Sequence, residues 1–230
     1  MCGGNPQCID IKRINVSAAF YLSIEFQQSG YLVERIYKTA FGDADGVSAL
    51  GGTHHLPVPI IRLNEFSPDT KKISQGVIVG EVGWETVLEN NKQIFLRDFV
   101  ERSRFKDRYP LSISPLQFVN SLNANAGNPL SPAERDQLVA DLTSGSKSRA
   151  EVIRAVAEDP ELNATELNRA FVLMQYFGYL SRNPNDPQDS DYTGYDFWLR
   201  KLNQFNGNFV NAEMVKAFIT SAEYRRRFGL

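Results

Sequence analysis

The sequence predicts an all-α fold: tandem three-helix units packed into one or two helical bundles, with a loop or short-strand insert in the first whole unit. Three observations lead there. The chain ends much as it begins. With Ala19 placed over Ala217, Phe20 falls on Phe218, Ser23 on Ser221, Glu25 on Glu223 and Phe26 on Tyr224. In the last copy Met214, Ala217, Phe218, Ser221 and Tyr224 recur at three- and four-residue spacing, which sets them on one helix face. Clusters of Pro, Asn, Asp and Gly separate such stretches and read as helix stops.

The repeat has further copies. Arg149 to Leu162 aligns without gaps on Asn211 to Tyr224, matching Ala150, Glu151, Ala155 and Glu161 to Ala212, Glu213, Ala217 and Glu223. A fainter copy puts Phe99 and Phe105 over Phe218 and Tyr224. Small residues in this row let a neighbouring helix come close, so the shared letters read as packing signals.

Taken in order, residues 1–28 read as the tail of an incomplete unit, which suggests a fragment of a longer protein. Residues 31–108 form a first whole unit: the aromatic helix "YLVERIYKTAF", an insert over 42–83, the middle helix "WETVLENNKQ" and a closing helix. The insert is rich in Gly and Pro early on and reads as loop, without a true sheet. Its "SPDTKKIS" offers a Ser N-cap with Pro at the first helical position, and "GVIVGEV" is a short strand or an extended segment. Residues 113–164 form a degenerate unit. Residues 167–230 form the best-matching one, with "RAFVLMQYFGYL" as aromatic helix and "YDFWLRKLNQF" as middle helix.

The bulk numbers exclude some functions. Hydrophobic residues at 42% and charged residues at 23% are globular values. With 25 basic and 27 acidic residues the chain lacks the surplus that nucleic acid or an anionic membrane calls for. No transmembrane segment is expected, because no apolar run approaches the roughly 18 residues needed to span a bilayer. Arg225 to Arg227 read as cations complementing a helix C-terminus. Met1 is followed by "CGGNPQC", without the features of a secretory signal, so the chain is either cytoplasmic or a piece of an exported protein.

Candidate sites are few. Cys2 and Cys8 flank a Gly/Asn/Pro turn that would bring the sulfurs together; a disulfide is the favoured reading, free thiols the rival, and zinc lacks ligands. Asp186, Asp189, Asp191 and Asp196, with Asn183, Asn185 and Gly194, offer oxygen ligands for calcium, though not at EF-hand spacing. The competing and favoured reading makes them caps and turns. "GDADG" (42–46) is a shorter version of the same choice. His54 and His55 would support acid–base chemistry but lie in a Gly/Pro-rich stretch read as exposed loop, with no nucleophile motif beside them. No phosphate-loop, dinucleotide, hydrolase-elbow or zinc-protease motif occurs. The aromatics would fill the core, with sugar stacking as the alternative.

The stretch "SRNPNDPQDSDYTGYDFW", followed by "KAFITSAEYRRRF", resembles the bacterial domain-of-unknown-function family 4214. That family pairs a Pro-Asp-bearing loop ahead of a Phe/Tyr-Trp helix with a closing "A-F-x-x-S-x-E-Y/F". The second copy carries "AGNPLSPAERDQL" in place of those loop residues, and the first departs through its insert. The closing helix is also similar to that of phycobilisome linker domains. The resemblance implies no catalytic residues and no required cofactor. It implies an interaction module of an exported, extracellular or envelope-associated bacterial surface protein, with a protein partner or self-association. A calcium-dependent glycan- or protein-binding module is the alternative, and an enzyme is not expected.

Overall fold

A computed structural model describes residues 2–228; residues 1, 229 and 230, given above to the opening tail and the last unit, lie outside it, as do the side chains of residues 6 and 10. The described chain is predominantly helical, with one two-stranded sheet. In order it forms α1 (Pro6–Leu22), α2 (Ile24–Phe41), β1 (Asp43–Ser48), β2 (His54–Pro59), α3 (Leu63–Ser74), α4 (Trp84–Glu101), α5 (Ser103–Arg108), α6 (Pro115–Asn125), α7 (Pro132–Ser144), α8 (Arg149–Ala157), α9 (Pro160–Tyr179), α10 (Thr193–Gln204), α11 (Met214–Thr220) and α12 (Ala222–Phe228). No helix among the described residues is long and apolar enough to cross a membrane.

The repeated letters encode a bend. At Ser23 the backbone leaves the helical region (φ −64°, ψ 148°) for one residue, and Ser221 does the same (φ −62°, ψ 150°). Each donates its N–H to the carbonyl three residues back, Phe20 at 3.3 Å and Phe218 at 3.2 Å. Each hydroxyl then caps the helix that follows, accepting from Phe26 N–H at 3.2 Å and Tyr224 N–H at 3.0 Å. Asp159 fills the position in the second copy: its N–H reaches the Val156 carbonyl, and its carboxylate accepts from Glu161 and Leu162 N–H. Arg102 takes the same bend (φ −64°, ψ 143°) but sends its side chain elsewhere.

Two expectations about helix limits are corrected. No loop separates the middle and closing helices of the first whole unit. Residues 94–98 ("IFLRD") contain no breaker, so α4 runs on to Glu101. The aromatic helices also start earlier than expected: α2 and α9 begin just after the bends at Ser23 and Asp159 and run straight into the aromatic stretches.

The insert is corrected as well. Residues 43–59, read as loop, hold the two-stranded sheet. Pro57 and Pro59 argue against a central strand but are tolerated at a sheet edge, which a two-stranded sheet always offers. Gly46 is required there, because a Cβ would stand 2.7 Å from Val58 and 2.9 Å from the Tyr192 ring. Helix α3 starts at Leu63, before the expected Ser67 cap, with Glu65 accepting from the Arg62 N–H at 3.2 Å. Pro68 thus sits inside the helix and withholds a donor from the Asn64 carbonyl. The "GVIVGEV" stretch forms turns rather than a strand.

The chain folds into two compact units. One comprises Met1–Gln27, Asp45–Val58 and Leu167–Leu230, the other Gln28–Ala44 and Pro59–Glu166. In the second unit an aromatic ladder runs through Tyr37, Phe99, Phe105, Tyr109 and Phe118, with neighbouring centroids 4.9–5.7 Å apart. Arg102 grips the buried Asp69 through both nitrogens, at 2.7 and 2.8 Å. In the first unit Phe218 is enclosed by Tyr176 at 5.1 Å and Trp198 at 5.6 Å. Apart from the half-buried Trp198, these aromatics are core residues.

Candidate functional site

The aspartate-rich loop is organised by a residue the sequence reading passed over. Arg182 follows α9 and its side chain is only 6% exposed. Its guanidinium donates to both oxygens of Glu223, at 2.7 and 3.1 Å, and to Asp189 at 2.7 Å. It also donates to the carbonyls of Asn183, Pro184 and Asp186. Burial works against its charge, but its hydrogen bonds to the Glu223 and Asp189 carboxylates outweigh burial and hold it above its ordinary value. Beneath it, 5.3 Å away, lies the Tyr176 ring, whose hydroxyl is pushed up by burial and by Asp189.

The four aspartates take different tasks. Asp189 pairs with Arg182. Asp186 accepts from the Asn183 backbone and side-chain N–H groups at 2.9 and 2.7 Å. Asp191 accepts from Thr193 N–H at 2.8 Å, at the start of α10. Asp196 sits within α10, buried, and accepts from Ser48 at 2.8 Å and Arg200 at 3.0 Å. Among the described residues no group of three His, Cys, Asp or Glu side chains is placed to hold a metal ion.

His54 is not in a loop: it opens β2, with its Nε2 atom 3.2 Å from Asp196 and 3.0 Å from Arg200, while His55 is exposed. Ser48, His54 and Asp196 have the residue types of a hydrolytic triad in the wrong order of contact. The Ser48 hydroxyl donates to the carboxylate instead of to the imidazole, and Ser48 is fully buried. The cluster fastens the sheet to α10, with the Ala49 N–H reaching Thr193 and the Tyr192 N–H reaching the Val47 carbonyl. Nothing in this contact order activates a nucleophile. The Cys2 and Cys8 sulfurs lie 2.06 Å apart, bonded across the Asn5 turn.

A different feature separates one copy of the repeat from the others. Val16 and Phe20 of α1 are 74% and 61% exposed. The residues in the place of Val16 are Phe95, Val152 and Met214, at 1%, 0% and 0%. Those in the place of Phe20 are Phe99, Val156 and Phe218, at 1%, 0% and 4%. Among the described residues the rings beside Phe20 are Tyr21 and Phe26, whereas Phe218 lies under Tyr176 and Trp198 and Phe99 beside Tyr37. The comparison with family models, with characterised proteins and with solved structures returns no match.

Proposed function

We propose that the chain is a non-catalytic interaction module of an exported protein, and that the open face of α1 receives an amphipathic helix bearing aromatic residues. The observation that carries this is the exposure of Val16 and Phe20 where every other copy buries the same positions. Within its unit Phe218 is covered by aromatic side chains, Tyr176 and Trp198, and Phe99 by Tyr37. The same face at α1 therefore suits a partner of the same chemistry, with aromatics at three- and four-residue spacing. Burying Phe20 and Val16 would contribute about 1.5–3 kcal/mol each. The bonded cysteines and the resemblance to family 4214 support export and a role in attachment or assembly.

The test is anisotropy titration with a labelled peptide of residues 167–186, the chain's own aromatic helix. Saturable binding that Val16→Glu and Phe20→Glu abolish is the expected result. No binding, or binding that both variants retain, would refute the reading. Sedimentation of the peptide-free protein distinguishes a second copy as the occupant.

A further inference from the structure

The side of α1 that packs on α11 borders a groove of about 530 Å³ in the first unit, within the size range of small-molecule sites. Three cations line it: Arg13 from α1, Lys216 from α11 and Arg225 from α12. Among the described residues no carboxylate does. Elsewhere Arg182, Arg102 and Arg154 are each matched by a carboxylate at close range, Glu223, Asp69 and Glu89. Among the described residues Arg13 and Arg225 have no side-chain partner. Lys216 has only Glu213 at 3.8 Å, with both side chains more than half exposed, a pairing that contributes little.

Three cations facing one groove repel one another, and they do so in a chain whose net charge is −2. An anion in the groove removes that repulsion. Arginine forks match the oxygens of a tetrahedral oxyanion, and the hydroxyls of Ser17 and Tyr224 line the same groove. Ile14 and Ile219 add an apolar wall that a bare ion would leave unused. We infer that this groove is a binding site for a small organic phosphate or sulfate ester, its charged head on Arg13, Lys216 and Arg225 and its apolar body against Ile14 and Ile219. The "RRR" run read as helix-end charge thus divides: Arg225 faces the groove, while Arg227 lies 3.6 Å from Glu223. Neither Val16 nor Phe20 lines this groove, so either proposal can fail alone.

The experiment is calorimetric titration of the full chain with phenyl phosphate and with inorganic phosphate, ionic strength held constant with sodium chloride. Saturable binding at one site is expected, several-fold tighter for phenyl phosphate. The Arg13→Gln/Arg225→Gln double variant should lose about tenfold or more in affinity, as expected for removing two charge-assisted contacts, while Arg226→Gln binds as the parent does. Both substituted arginines are exposed, and a thermal melt checks that the fold is kept. Independently of any variant, phenyl phosphate should shift the amide resonances of Ser17, Thr220 and Tyr224. Undiminished binding by the double variant overturns the inference, as do binding that chloride reproduces and shifts confined to other residues. Tighter binding of an oligoglutamate peptide than of phenyl phosphate would also overturn it, in favour of an acidic protein partner.

Discussion

Ser23 and Ser221 hold the same one-residue bend near opposite ends of the sequence, each giving its N–H to a phenylalanine carbonyl and accepting an N–H of the following helix on its hydroxyl oxygen. Two helices meet at an angle there because a short side chain replaces the hydrogen bonds that the bend breaks. Ser221→Ala and Ser23→Ala should each cost about 0.5–2 kcal/mol, the usual loss of a helix cap. Asp159→Ala should cost at least as much, since its carboxylate accepts two N–H groups. Urea unfolding monitored by circular dichroism measures all three.

The Arg182–Glu223 pair ties the loop at 183–189 to α12. Glu223→Gln strips the bidentate acceptor from an arginine that is almost fully buried. The expected cost is about 2–3 kcal/mol, below the full penalty for breaking a buried pair because Glu223 keeps some contact with water. For a chain of this size that is a fall of several degrees in Tm, read by calorimetry.

Much of the architecture was legible because the helix-forming signals are local. The spacing of Met214 and Phe218 gave α11 and its buried face, but the single helix expected to run on to Tyr224 is broken at Ser221, and Tyr224 belongs to α12. The bend at Ser23 and Ser221 was visible only as a recurring letter, because a cap and a small packing residue look alike in sequence. The sheet was missed because Pro57 and Pro59 read as loop, and what admits them is the edge position that tertiary structure supplies. Arg182 was overlooked for a related reason. Its partners Asp189 and Glu223 come from different elements, and no spacing rule joins them. The aspartates, in contrast, were conspicuous by composition, and their partners are side chains and backbone N–H groups.

Arg154 of α8 holds Glu89 of α4 by two bonds, at 2.6 and 2.7 Å, and these bonds bring the Glu89 carboxyl from 4.5 down to about 2. A depressed carboxyl contributes stability above its unfolded pKa and loses it as pH falls through the folded one. The urea midpoint should therefore decline between about pH 4.5 and pH 2. Glu89→Gln should be less stable at neutral pH and show a shallower decline over that window. Because Glu89 is 43% exposed, added salt should shrink the difference.

Gly178 of α9 lies against Tyr21 of α1, and a Cβ at that position would overlap the Tyr21 hydroxyl. The Tyr21 ring is itself enclosed by Phe26 and Tyr179, at 5.2 and 5.3 Å, so it cannot simply swing away. Gly178→Ala should destabilise by about 1–3 kcal/mol despite alanine's better helix propensity. The double variant with Tyr21→Phe, which removes the obstructing hydroxyl, should recover part of that loss in the same unfolding assay.

The repeated bend is the claim on which the rest depends, and backbone chemical shifts of the isotope-labelled chain test it most directly. The account predicts helical Cα and Cβ shifts on both sides of Ser23, Arg102 and Ser221, interrupted at each by a single residue with extended values. Uninterrupted helical shifts through Ser23 and Ser221, or extended shifts across their flanks, would contradict it.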